Sequence, residues 1–135
     1  MAKQKTMQKV TAAVIQRDGK VLIARRKPGG HMGEKWEFPG GKIDAGETPR
    51  ECLRRELEEE FSIQARIGEF LCSAAYVSPG LELELLAYRA EHLCGSFVLR
   101  EHTEIRWVAP AELQSYDLAD SDRLIARELN RRLKV

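Results

Sequence analysis

EFPGGKIDAGETPRECLRRELEEEFSI, from Glu37 to Ile63, holds a glycine turn, a helix with its own start signal and a cluster of carboxylates within twenty-seven residues. Thr48 and Glu51 stand three apart as a capping box requires, the hydroxyl accepting from the Glu51 amide and the carboxylate reaching back to the Thr48 amide. Pro49 suits the first helical position, where no amide donor is missed, so the helix starts there. Leu53 and Leu57 then give it an apolar stripe, and Glu56, Glu59 and Glu60 fall together on the adjoining face. Like charges at these spacings repel by roughly 0.3 kcal/mol per pair in a free helix. Most acidic runs are simply solvated, yet this one answers the needs of a hard divalent cation, which takes oxygen ligands. Arg55, four residues before Glu59 and four after Glu51, is placed to orient carboxylates from behind.

Upstream, Val10 to Gln16 and Val21 to Arg25 are strand-like runs joined through Asp18-Gly19, a strong hairpin signal. Arg25, Arg26 and Lys27 follow directly. Cations there can keep an edge strand soluble or grip phosphate oxygens, and the carboxylate cluster favours the phosphate reading for Arg26. Trp36 and Phe38 alternate around Glu37, with burial the default for both. Downstream, Arg66 to Ser78 reads as a strand, Pro79-Gly80 as a turn, and Leu81 to Leu85 alternates as a half-buried antiparallel strand does, running on to Tyr88. Ser96 to Leu99 and Ile105 to Ala109 read as two further short strands. Between them Glu101 and Glu104 are two candidates for an extra carboxylate near the cluster, and strand alternation lets only one serve. A helical turn from Pro110 to Leu113 precedes a terminal helix with Leu124, Ile125, Leu129 and Leu133 on its buried stripe. Asp120, Ser121 and Asp122 are cap types at its start.

A chain of 135 residues forms one core, so residues 1–135 are taken as a single domain. Hydrophobic content of 43% and charged content of 32% fit an ordinary soluble protein, and a net charge of +1 excludes a general attraction to nucleic acid or membranes. Cys52, Cys72 and Cys94 are odd in number and lack a CxxC pair, which argues against a disulfide framework or a zinc site. They read as small core hydrophobes in a reducing cytosol. The basic start, MAKQKTMQK, leads into a short apolar stretch interrupted by Thr11, so residues 1–8 read as a loose tail rather than a signal peptide. No run approaches the length of a membrane helix, and the expected location is the cytoplasm.

Gly41, five residues, Glu47, seven residues and then Arg55-Glu56-Leu57-Glu58-Glu59-Glu60-Phe61-Ser62-Ile63 resemble the Nudix box, with one fixed position departing. Ser62 stands where the family has the glycine that ends the helix in a left-handed conformation, a geometry serine adopts at about 1 kcal/mol. His31-Met32, Glu37 to Ile43 and Gly46 to Pro49 extend the likeness to the MutT branch, more loosely from Val10 to Arg131. The resemblance implies an α/β Nudix fold, a mixed sheet with a parallel part and a hairpin, sandwiched between helices.

It also implies roles. Glu56, Glu59 and Glu60 would bind Mg2+, or Mn2+ in its place, together with the Gly40 carbonyl. Glu101 matches the glutamate that approaches the metals and the attacking water, which makes these four the catalytic carboxylates. Arg26 and Lys42 would hold phosphates, His31 and Phe38 would lie near the nucleoside, and Arg55 would support the carboxylates. Asp122 falls where MutT-like enzymes carry an asparagine that reads a purine base. An ionised aspartate only accepts hydrogen bonds, and related CTP-preferring enzymes have aspartate here.

The activity implied is hydrolysis of 8-oxo-dGTP or a related nucleoside triphosphate to the monophosphate and pyrophosphate, in the service of nucleotide-pool sanitation. A CTP- or dCTP-preferring pyrophosphohydrolase is the alternative, and a Nudix domain retained only as a nucleotide sensor is a third reading, against which the intact carboxylates speak. The partner implied is a small nucleotide, with no polymeric nucleic acid and no membrane. Monomer and homodimer are equally compatible with the sequence.

Overall fold

A computed structural model describes residues 7–30 and 32–133. Strands β1 (Met7–Arg17) and β2 (Lys20–Arg26) form the opening hairpin. Asp18 and Gly19 both take positive φ, at 52° and 76°, as the tight two-residue turn matching strand twist requires. The tail expected through residue 8 is shorter, because Met7 and Gln8 already pair with Glu82 and Leu83.

The hairpin then opens into a fork. β1 and β2 pair only at the turn end, Gln16 with Val21 and Arg17 with Lys20. β2 pairs along its length with β6 (His102–Val108), while β1 runs parallel to β5 (Leu81–Cys94), which is antiparallel to β4 (Gln64–Ser78). The short β3 (Trp36–Glu37) pairs with Arg25 and Ala24 of β2. The chain after it crosses to β1, where the Ala13 and Thr11 amides donate to the Pro39 and Gly41 carbonyls at 2.7 and 2.8 Å and the Ile43 amide donates to the Lys9 carbonyl at 3.1 Å. Residues 36–43 thus fill the gap between diverging strands, and Gly40 and Gly41 lie in it.

The sheet is covered on both faces. Ala13 and Ile15 of β1 pack with Leu53, Leu57 and Phe61 of helix α1 (Pro49–Phe61). Ala12 and Val14, on the opposite face by strand alternation, share a core with Ile125, Ala126 and Leu129 of helix α2 (Asp120–Leu133). Residues 11–15 are therefore buried without a break, the signature of a strand covered from two sides. This is the mixed sheet between helices that the resemblance implies. No helix among the described residues is long and apolar enough to cross a membrane.

Four local expectations need correcting. Ser96 to Leu99 forms no strand; the Val98 and Arg100 amides instead donate to the Phe61 and Glu60 carbonyls at 2.9 and 3.3 Å, tying the segment to the end of α1. Leu81 and Leu83 are only half-buried, as are Glu82 and Glu84, so the alternation of sequence is not matched by alternating burial there. Cys94 is exposed at the end of β5, whereas Cys52 and Cys72 are buried as expected. On α2, Ala126 takes the buried place assigned to Leu124, which is half-buried.

Both ends of α1 follow the reading from sequence. The Glu51 amide donates to the Thr48 hydroxyl at 3.1 Å and the Thr48 amide to the Glu51 carboxylate at 2.9 Å. Ser62 closes the helix at φ 57° and ψ 33°, its amide donating to the Glu58 carbonyl. A non-glycine residue there is strained by about 1 kcal/mol, and the Ser62 side chain makes no hydrogen bond among the described residues that would offset it. Ser62→Gly should accordingly raise the thermal midpoint by about 3 °C, read by calorimetry; an unchanged or lower midpoint would show that serine rests there without strain.

Candidate active site

The acidic face of α1 opens on a cavity of about 410 Å3. Glu56, Glu59 and Glu60 form one wall. Glu101 reaches the cavity from the segment tied to the end of α1, and Arg26, Lys27, Pro28 and Gly29 line it as well. Glu37 and His102, on neighbours of β2, complete the lining.

Glu60 is the most constrained of these groups. Burial, with the charges of Glu56 and Glu37 nearby, pushes its carboxyl up to about 9. Its Oε2 atom is buried with no hydrogen-bond partner. A buried acceptor left unpaired is costly, and carboxylates crowding one another raise the cost further. Glu37 is held differently: His102 Nε2 donates to its Oε2 at 2.8 Å and the Arg26 guanidinium to its Oε1 at 3.1 Å. His102 is only 3% exposed and lies flat against the Phe61 ring, 5.1 Å between centroids.

Arg55 organises the outer side of the cluster. Its guanidinium donates to Glu47 at 2.6 and 2.9 Å, to Glu56 at 3.0 Å and to Glu59 at 3.1 Å. The bond to Arg55 leads in holding the Glu47 carboxyl down to about 2. Arg55 thus bonds Glu47, Glu56 and Glu59. Glu51, the other carboxylate its spacing pointed to, is occupied by the capping box.

The glycines fit this cluster closely. A Cβ on Gly41 would lie 2.5 Å from the Glu56 carboxylate, so the backbone there touches the acid directly. Gly40 has φ 150°, and a Cβ on it would collide with the Thr11 carbonyl. Among the described residues the Gly40 carbonyl accepts no hydrogen bond, although the Pro39 and Gly41 carbonyls beside it are both taken by β1.

Not every residue singled out from sequence comes to the cavity. Glu101 lines it, whereas Glu104 is bound to Arg106 at 2.7 Å and faces Arg25 across the β2–β6 pair. Phe38 is buried in the core against α2, and Lys42 lies beyond the glycines, bridged to Val10; neither is among the cavity's lining residues. Asp122 is 7% exposed, and its Oδ1 accepts from the Phe38 amide at 2.9 Å. Burial and the charge of Glu37 push its carboxyl up to about 7. His31 lies outside the described residues. Lys27, in the basic run read from sequence, does line the cavity, whereas Glu37 and His102 were missed: only strand pairing brings those two in, and no local signal in the sequence marks them.

Among the described residues, no three His, Cys, Asp or Glu side chains are drawn together closely enough to hold an ion as they stand. The acids line a common space, with Glu59 turned to Arg55. Their chemistry nevertheless fits a hard dication: every donor is oxygen, Glu60 Oε2 is an unpaired buried acceptor, and a dication would satisfy what only a proton on Glu60 otherwise relieves.

A family model for the NUDIX domain matches residues 5–129. A CTP pyrophosphohydrolase of Escherichia coli (strain K12) is 38% identical over 116 residues, 86% of this chain and 86% of that protein. An 8-oxo-dGTP diphosphatase of Haemophilus influenzae is 34% identical over 123 residues, 90% of each chain. The solution structure of the E. coli ORF135 protein matches at a TM-score of 0.83 and 36% identity, over 91% of this chain and 88% of that one. The crystal structure of a MutT protein from Methanosarcina mazei Go1 matches at 0.86 and 22% identity, over 99% and 100%, a likeness of fold.

Proposed function

We propose, from the premise that this chain belongs to the NUDIX domain family and is a hydrolase of phosphoric anhydride bonds, that it is a Mg2+-dependent nucleoside triphosphate diphosphatase of MutT type. The observation that carries this reading is the cavity itself, lined by a cluster of carboxylates together with Arg26 and Lys27. Glu56, Glu59, Glu60 and the Gly40 carbonyl would hold the cation. Once bound, a divalent cation supplies charge neutralisation for the phosphate chain and acidifies a coordinated water. Arg26 and Lys27 bind phosphate oxygens and fix the chain across the cavity. Glu101, carried by the segment tied to the end of α1, takes the proton from the water that attacks the β-phosphorus. The bond from that phosphorus to the bridging oxygen breaks, the oxygen leaves on the nucleoside monophosphate, and the water oxygen ends in pyrophosphate. Positioning and charge supply most of the rate in such a transfer.

Two substrates compete under this reading. The 8-oxo-dGTP diphosphatases among the relatives support an oxidised purine nucleotide. The CTP pyrophosphohydrolase, together with Asp122, supports CTP or dCTP. Cytoplasmic residence and a small-nucleotide substrate, rather than a nucleic-acid polymer, belong to both.

Purified protein with Mg2+ and a panel of 8-oxo-dGTP, dGTP, CTP, dCTP and ADP-ribose tests the reading by release of monophosphate and pyrophosphate. The expected result is Mg2+-dependent pyrophosphate release, with 8-oxo-dGTP well ahead of dGTP. A lead for CTP or dCTP would transfer the proposal to the pyrimidine reading, and inorganic phosphate as the only product would overturn attack at the β-phosphorus.

A further inference from the structure

The inner face of β1 carries one polar side chain in an otherwise apolar run. Thr11 is only 2% exposed, and the residues that follow on its face, Ala13 and Ile15, are apolar. Its hydroxyl is buried under the start of α1, where nothing in the packing of the sheet requires a polar group. Burying a hydroxyl is unfavourable unless it is well paired, so its partners show what it holds.

Those partners are at the glycine turn. The Thr11 hydroxyl donates to the Gly41 carbonyl at 3.0 Å, beside the backbone bond of 2.8 Å from the Thr11 amide to the same oxygen. The Gly41 amide approaches the hydroxyl oxygen at 3.4 Å. Cys52 of α1 stands 3.3 Å away on the other side, with its sulfur 3.6 Å from the Gly41 carbonyl. Both polar groups of Gly41 are thus gripped by one side chain, and that residue's Cα lies against the Glu56 carboxylate. With the Gly41 carbonyl doubly bonded toward β1, the preceding carbonyl, that of Gly40, is left free of any partner among the described residues.

We propose that Thr11 is a positioning residue for the divalent cation: its hydroxyl locks the Gly40-Gly41 turn so that the Gly40 carbonyl and the Glu56 carboxylate are presented together. This rests on the metal reading of the cavity given above. The lock is specific to the hydroxyl, since the methyl group of threonine touches neither glycine amide nor carbonyl as a donor. Groups that stand behind metal ligands typically change affinity 10- to 100-fold when removed.

The test is Mn2+ binding, followed by the loss of the free-ion paramagnetic resonance signal, in wild type, Thr11→Val, Thr11→Ser and Glu60→Gln. Thr11→Val keeps the shape and should weaken Mn2+ binding about 10-fold. Thr11→Ser should bind as wild type. In turnover the Val variant should need correspondingly more Mg2+ for half-maximal rate, while its KM for nucleotide at saturating Mg2+ stays unchanged. Thr11→Ala serves in place of Val if the Val variant does not fold, with the same expected loss. Wild-type affinity in the Val or Ala variant, or an equal loss in Ser, would overturn the role of the hydroxyl. Wild type that binds no Mn2+, indistinguishable from Glu60→Gln, would overturn the metal reading and this inference with it.

Discussion

Glu60→Gln is expected to lower nucleotide turnover by about three orders of magnitude while making the metal-free chain harder to unfold at alkaline pH. The loss of rate corresponds to removing one preorganised electrostatic partner of the transition state, at the upper end of what such removals cost. The gain in stability follows from the sign of the shift. An acid raised from 4.5 to about 9 binds its proton more tightly in the folded chain than in the unfolded one. Its contribution is complete below 4.5 and is lost as pH rises through about 9, so the wild type weakens across that window. Glutamine carries no titrating proton and removes that slope. Urea unfolding at pH 5 and pH 9 should therefore separate the two chains by a few kcal/mol at the higher pH only, on the order of 1.4 kcal/mol per pKa unit. Added Mg2+ should reverse the order, because only the wild type gains a ligand for its carboxylate. A variant that keeps full turnover would remove Glu60 from the metal site.

Asp122→Asn should flatten a second, separable part of the pH dependence. Asp122 is raised from 3.8 to about 7, first by burial and then by the charge of Glu37. The folded chain again holds the proton more tightly, so stability present in full below 3.8 is lost as pH climbs through about 7. The difference amounts to as much as about 4 kcal/mol. Asparagine keeps the acceptor that the Phe38 amide uses and adds a donor toward Ser121, so the variant should match the wild type at pH 4 and exceed it at pH 8. Mg2+ should leave this difference unchanged, which distinguishes it from that of Glu60. Parallel unfolding curves for variant and wild type between pH 4 and 8 would show that the Asp122 carboxyl does not titrate in that range.

Much of this site was legible because its rules are local. The capping box, Pro49 and the spacing of Glu56, Glu59 and Glu60 depend on residues within one helix, and the Asp18-Gly19 turn depends on two. Glu101 could be set beside Glu104 as an alternative but not chosen, because the choice depends on how residues 95–101 wrap the end of α1. The run Phe97-Val98-Leu99 has strand-like composition, yet the Val98 amide, like that of Arg100 after it, finds its partner on a helix end instead of a sheet edge. Glu37 and His102 lie 65 residues apart and meet only because β3 and β6 both pair with β2. Phe38 sits in the right loop but is buried in the core, and Lys42, beyond the glycines, is not among the residues lining the cavity, outcomes that spacing alone left open.

The fork between β1 and β2 also dictates an order of assembly. The opening hairpin closes with a two-residue turn, and α1 carries its own start signal, so both can form early and alone. The cradle cannot. It needs β1 held in place beyond the turn, and that hold comes from parallel pairing with β5, where each partner is 75 residues away, as Met7 is from Glu82. Closing so long a loop is among the slowest steps a chain of this size takes. During synthesis the glycine turn would therefore wait, complete in sequence but without a place to lie, until β5 had emerged. In the mature molecule, the same dependence makes loosening of β5 the event that would dissolve the carboxylate pocket.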